Sequence, residues 1–233
     1  TEGRPGGVPG PPRRGGDQAR RRRCGRPPEG PAQALMKRPT RRLAVLGLLA
    51  APLTARAGAQ IEEPLADSIR SALSAAIAQA APPRPRFDDA EAREAYLRWL
   101  GVMSERLKHR KTETQIRIEF LETVWYEAKR AGLEPSLVLG LVQVESGFRK
   151  YAISTAGARG YMQVMPFWTR SIGDGDASRL FHMQSNLRFG CVILRHYLDI
   201  EKGDLFLALG RYNGSRGRPE YPNAVLAARR QWL

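Results

Sequence analysis

No stretch of this 233-residue chain sustains the apolar–polar alternation of a half-buried strand, while one segment, Leu137 to Val144, is apolar nearly all round. A sheet requires period-two patterning of its strands, so its absence leaves helices as the building material. A helix apolar on every face must sit among other helices. Pro135 starts this one, since a proline in the first turn gives up an N–H that no helix would use there. The flanking segments carry the one-sided stripes of surface helices. A helix from Asp88 to about Leu107, opened by a capping box with Glu91, has Tyr96, Leu97, Leu100 and Met103 along one stripe. Glu113 to Ala131 turns Ile116, Phe120, Leu121, Val124 and Ala128 inward and ends at Gly132. Further helices are predicted from Met183 to Ile200, Asp204 to Tyr212 and Tyr221 to Trp232. The expected architecture is all-α, one domain over residues 88–233 without an internal repeat. Residues 60–87 precede it as an accessory piece, an alanine-rich helix from Pro64 to Ala81 and a stiff Pro82-Pro83-Arg84-Pro85 linker.

The front of the chain is of another kind. Residues 1–35 contain 8 Gly, 7 Pro and 8 Arg, too little apolar surface to offset chain entropy, so disorder is expected there. Met36 then begins a basic start, an apolar run from Leu43 to Leu53, and Ala57-Gly58-Ala59. That order is a secretory signal peptide over residues 36–59, cut after Ala59. A signal peptide works from the extreme N-terminus, so residues 1–35 are read as upstream sequence of an over-long gene model. The expected product is an exported periplasmic protein with no stable membrane insertion after cleavage, working as a monomer.

Charge and composition exclude other classes. The net charge is +15, but residues 1–59 hold 13 Lys/Arg against 3 Asp/Glu, leaving only a modest basic excess downstream. A uniformly basic nucleic-acid-binding domain is disfavoured, and no nucleic-acid partner is expected. Cys24 and Cys191 are too few for a disulfide scaffold, and Cys191, with Leu187, Leu194 and Leu198 on its helical face, reads as a buried thiol. With His109, His182 and His196 at no ligand-like spacing, neither a metal nor a cofactor is expected.

Glu145 is the position that carries chemistry. It ends the most hydrophobic helix, with Val142, Val144 and Phe148 around it, and leads into a glycine-rich loop. The negative end of the helix dipole and apolar neighbours both favour its protonated form. A carboxylic acid kept neutral near pH 7 is what protonating a glycosidic leaving oxygen requires. From helix physics alone an ordinary solvated glutamate stays open. The next acidic residue is Asp174, so no sequence neighbour supplies the second carboxylate of a two-acid glycosidase.

The blocks around it are distinctive: Glu145-Ser146-Gly147-Phe148, Ala152-Ile153-Ser154, Gly157 to Pro166, Asn186 with Gly190, and Tyr212-Asn213-Gly214. In this order, over roughly residues 120–225, they resemble the catalytic domain of soluble lytic transglycosylases, peptidoglycan-cleaving relatives of goose-type lysozyme. The resemblance implies a lysozyme-like transglycosylase domain acting on peptidoglycan glycan strands. It implies Glu145 as lone general acid/base, protonating the oxygen between N-acetylmuramic acid and N-acetylglucosamine. The same group then takes the proton of the muramoyl 6-hydroxyl as that oxygen closes a 1,6-anhydro ring. By resemblance Tyr212 places the carboxyl or the reacting sugar, and Ser154, Gly160, Met162, Gln163, Met165 and Asn213 contact the glycan. Read without it, Ser154 is a turn serine, Tyr212 a core aromatic, Met162 a core residue and Asn213 a helix end. Tyr161 and Arg211 depart from the family pattern at positions expected to border the groove; Lys150 and Gly214-Ser215 depart too. Two rival readings stand beside this one: a hydrolytic muramidase using Asp174 or Asp176 as base, and a non-catalytic glycan-binding subunit.

Overall fold

A computed structural model describes residues 60–78 and 85–233; the expected disordered start, the signal peptide and most of the proline linker lie outside the described residues. Within them the chain is all-α, as its patterning predicts. Helix α1 spans Asp67–Ala78, α2 Ala90–Leu107, α3 Thr114–Arg130, α4 Pro135–Ser146, α5 Phe167–Ile172, α6 Met183–Ile200, α7 Leu205–Asn213 and α8 Glu220–Arg229. Single 3-10 turns cover Ala177–Phe181 and Arg230–Trp232. The described residues form no strand, only isolated bridges from Ile153 to Arg159 and from Arg159 to Val164. No helix among them is long and apolar enough to cross a membrane.

The central helix is the one apolar on all sides. Leu137, Val138, Leu139, Leu141 and Val142 of α4 are all buried, with α3 on one flank and α8 along the other. Gly140 is what lets α8 lie so close: a Cβ there would fall 2.7 Å from the Arg229 amide nitrogen. On the far side of α3, α6 is joined to it by a buried ion pair. Arg188 Nη2 and Nε donate to Glu127 Oε1 at 2.8 and 3.1 Å, and Arg130 Nη1 reaches Glu127 Oε2 at 3.3 Å. Cys191 on α6 is free and buried, and burial pushes its thiol pKa well up.

The accessory segment is not simply a spacer. Helix α1 has no buried residue of its own, yet Leu65, Leu73 and Ile77 pack on the core. Its last carbonyls are met by cations: Arg130 Nη2 donates to Ala76 O at 2.5 Å and Arg188 Nη1 to Ile77 O at 3.4 Å. This is the favourable end of a helix dipole for a positive charge.

Four local expectations are corrected. The N-cap of α2 is Asp89, whose side chain accepts from Ala92 N at 2.7 Å, one residue later than the Asp88 capping box. Leu97 is 49% and Ile116 41% exposed, because they lie at the edges of their stripes and nothing packs over those edges. Helix α5 and the 3-10 turn before α6 are additional elements, too short to show a period in sequence. The helix begun by Tyr221 breaks into α8 and a 3-10 turn before the chain ends.

Candidate active site

The end of α4 builds the site. Gly147 caps the helix in the left-handed region, φ 57°, its N–H donating to Gln143 O, and Phe148 follows at φ 68°. Two left-handed residues in succession turn the chain back sharply. A non-glycine residue held there is strained by roughly 1–3 kcal/mol. Packing of the buried Phe148 ring edge-on to Phe120 at 5.9 Å and to Trp232 at 5.3 Å holds it. The Ser146 hydroxyl donates to Tyr161 O at 2.7 Å and so pins the returning loop to the helix end.

Glu145 emerges from this turn 5% exposed. Its Oε1 accepts the Tyr221 hydroxyl proton at 2.5 Å, while Oε2 is buried without a hydrogen-bond partner among the described residues. Burial raises the carboxyl pKa to about 8, and the Tyr221 hydrogen bond, which favours the charged form, opposes that rise in part. No second carboxylate among the described residues contributes to the shift. The group is therefore a neutral acid at pH 7 with one oxygen tethered and the other unengaged.

The loop from Ala152 to Met165 returns to the end of α4, where Tyr161 O meets the Ser146 hydroxyl. Gly160, at φ 76°, is obligatory: a Cβ would stand 2.4 Å from both Asn186 Nδ2 and Leu180 O. Asn186 in turn accepts from Met162 N at 2.8 Å and donates to Arg159 O and Leu180 O at 2.8 and 2.9 Å, so it holds the loop from behind. Gln163, at φ 48°, ties the loop to itself by donating to Ala152 O and Gly160 O. Met162 is fully buried, its sulfur lodged against Gly190, where a Cβ would meet it at 2.3 Å. Met162 thus meets the site through its main chain. Its carbonyl accepts from the Tyr212 hydroxyl at 2.8 Å. The phenol of Tyr212 is wholly buried, and burial together with the nearby Glu145 pushes its pKa well up.

Of the residues singled out in the sequence, Tyr212 stands near Glu145 and is joined to Met162 O, Gln163 bonds within its own loop, and the others have partners elsewhere. Ser154 closes its own turn, its Oγ accepting from Ala158 N at 3.1 Å. Asn213 donates to Ser215 Oγ at 3.0 Å while its Oδ1 is buried without a partner. Tyr161 is buried, its hydroxyl accepts from Lys111 Nζ at 2.8 Å, and its ring lines a cavity of about 560 Å³ with Lys150, Tyr151 and Phe181. Arg211 is likewise engaged, with Glu201 at 2.8 Å and Glu63 at 2.8 and 3.0 Å. Asp174 and Asp176 lie exposed on the surface, the first paired with Arg179 and the second capping Ser178 N.

Sequence reading gave no reason to single out Tyr221. It lies on the buried stripe of α8 with Val225 and Ala228 and so reads as a core aromatic. The signal is its hydroxyl, which needs a partner once the ring is buried. A cavity of about 860 Å³ beneath α1, walled by Leu73, Val192 and His196 among others, contains none of these site residues.

Comparison with known proteins matches residues 122–224 to the transglycosylase SLT domain. Membrane-bound lytic murein transglycosylase C of Actinobacillus pleuropneumoniae serotype 5b is 34% identical over 119 residues, covering 42% of this chain and 33% of that protein. A transglycosylase of Enterobacteria phage PRD1 is 33% identical over 104 residues, covering 45% of this chain and 38% of its own. A crystal structure of lytic transglycosylase Slt from Pseudomonas aeruginosa is 23% identical, covers 60% of this chain and 27% of that one, and superposes with a TM-score of 0.39. This chain spans only about a third of the length of the curated relatives it matches. The matched interval runs from α3 to α8 and contains Glu145, Tyr212, Tyr221 and the loop from Ala152 to Met165. Residues 122–224 of this chain form a transglycosylase SLT domain.

Proposed function

We propose that this chain is an exported, periplasmic peptidoglycan lytic transglycosylase with Glu145 as its single general acid/base. The observation that carries the reading is the carboxyl at the end of α4, held neutral by burial, within an interval matching the transglycosylase SLT domain. The relatives' names, lytic murein transglycosylase and transglycosylase, agree with it. Export rests on the signal-peptide pattern of residues 36–59.

The chemistry follows from the two oxygens. Oε2 gives its proton to the glycosidic oxygen as the bond from that oxygen to the muramoyl anomeric carbon breaks. The carboxylate left behind is stabilised by the Tyr221 hydroxyl on Oε1. It then recovers a proton from the muramoyl 6-hydroxyl as that oxygen bonds to the anomeric carbon. Glu145 ends as it began, and no water is consumed. The hydrolytic alternative is weakened by the surface positions of Asp174 and Asp176, both held by local partners.

The product tests the proposal. Sacculi digested with the protein are expected to release muropeptides one water lighter than the hydrolysed form; release of reducing-end muropeptides alone would overturn it. Tyr221→Phe tests the role of the tether. Removing a donor to the charged form raises the Glu145 pKa above about 8, so the alkaline loss of activity moves to higher pH. The expected displacement is about one pH unit, one charged hydrogen bond of ~1.5 kcal/mol. A pH–rate profile with an unmoved alkaline limb contradicts the assignment.

A further inference from the structure

The turn after α4 and the loop it leads into carry a cluster of cations, most of them on aromatic rings. Lys111 Nζ stands 4.6 Å from the centroid of the Tyr161 ring and donates to its hydroxyl at 2.8 Å. Lys150 Nζ lies 5.3 Å over Tyr151, and the Arg159 guanidinium 5.5 Å over Phe181. Arg110 covers Phe148 at 5.6 Å, and Arg149 Nε donates to Ser146 O at 2.9 Å. None of these five is paired with a carboxylate among the described residues, whereas Arg98, Arg179 and Arg195 each meet one. Lys111 and Lys150 are close enough to repel: burial first and Lys150 second bring the Lys111 ammonium pKa down to about 8. Like charges gathered without counter-charges raise the free energy of the unbound state, and an anion that binds among them relieves it.

Three of those rings, Tyr151, Tyr161 and Phe181, line the cavity of about 560 Å³ together with Lys150. Tyr151 is 70% exposed, and its ring lies 5.9 Å from that of Phe181. Glu119 of α3 also lines the cavity and is the one carboxylate among its lining residues. The cavity thus has apolar walls and charges of both signs, with cations in excess around it. It adjoins the end of α4 through two links. Tyr161 O accepts from the hydroxyl of Ser146, next in sequence to Glu145, and Lys150 follows Ser146 by four residues. Neither Glu145, Tyr212 nor Tyr221 lines it, so it is a site apart from the reacting carboxyl.

We infer that this cavity binds the stem peptide of peptidoglycan, Lys150 and its neighbouring cations receiving peptide carboxylates and Glu119 receiving the ammonium of a diamino acid. The inference rests on the glycan-cleaving function proposed above and adds a second contact with the same polymer. The N-acetylated sugars of that polymer are uncharged, whereas its stem peptides carry the carboxylates, so the charge pattern selects the peptide and not the glycan. Tyr151 and Phe181 offer apolar faces to the methylenes of the diamino acid.

The probe is the free stem tripeptide, L-alanyl-γ-D-glutamyl-diaminopimelate, titrated into the full chain. Lys150→Gln is expected to weaken its binding about tenfold, the loss of one charge-assisted contact, and Lys150→Arg to retain it. Lys150 is exposed, so neither variant disturbs the core. The same peptide with its carboxylates amidated is expected to bind the parent about tenfold more weakly or worse. With intact sacculi, Lys150→Gln is expected to raise KM about tenfold with kcat within about twofold. Equal binding of the free and amidated peptides, no weakening by Lys150→Gln, or an unmoved KM overturns the inference. So does equal binding of an L-glutamyl peptide of the same charge, which would mark the surface for an acidic protein segment. Peptide binding without release of anhydro muropeptide supports this site and overturns the function proposed above. Release of that product without peptide binding overturns this site alone.

Discussion

Glu145→Gln is expected to abolish glycan release from sacculi, by about 10³–10⁴-fold, because one residue serves as both acid and base. Gln keeps an oxygen for the Tyr221 hydroxyl, so the site should retain its shape while losing its proton. The folding consequence has the opposite sign. A carboxyl raised to about 8 in the folded state, against an ordinary value near 4.3, binds its proton more tightly when folded. Folding stability therefore falls as pH rises through the window between those two values, and a glutamine escapes that dependence. The variant is expected to melt no lower than the parent at pH 7, and to gain on it as pH approaches 8. Thermal unfolding beside the sacculus assay checks both halves. Residual activity within tenfold of the parent would remove Glu145 from the chemistry, and a collapsed melting temperature would mean that activity was lost through unfolding.

The largest structural effect is expected at Glu127. Its carboxylate is 1% exposed and is bound bidentately by Arg188, itself 6% exposed, with Arg130 alongside. Both partners are out of water, so their attraction offsets two desolvation penalties only while the pair is complete. Glu127→Ala leaves the Arg188 guanidinium without its buried counter-charge. The expected loss is about 3–5 kcal/mol, on the order of 10 °C in Tm for a domain of this size. Arg188 and Arg130 also hold the last carbonyls of α1, so the variant is expected to expose that helix to proteolysis first. Replacing the pair together, Glu127→Leu with Arg188→Met, should recover most of the stability, since no charge then remains buried. Equal melting of the Glu127→Ala variant and the parent would show that the pair does not brace α3 against α6.

Much of this architecture is legible one helix at a time. The all-round apolar run marks α4 as central, Pro135 marks its start, and Glu145 follows at its far end; each signal lies within a few turns of one helix, where side-chain direction follows directly from residue spacing. The acid's raised pKa is legible in the same way, because the residues that remove its water are largely its own neighbours and the core its helix enters. Edges of stripes are less legible: Ile116 and Leu97 carry the right period but lie where no neighbour covers them.

By itself, then, the sequence determined the helical class, the central helix and the carboxyl at its end, since backbone hydrogen bonding and the 3.6-residue period act over short separations. Only the tertiary structure decided what meets that carboxyl. Tyr212 and Tyr221 are both buried aromatics on apolar stripes, yet the first donates to Met162 O and the second, 76 residues from Glu145, takes the carboxylate oxygen. That choice depends on how closely α8 approaches α4 over Gly140, and the pairing of Glu63 with Arg211 depends on where the segment leading into α1 docks. Both are distances between helices, set by packing, which the pattern within a helix does not encode.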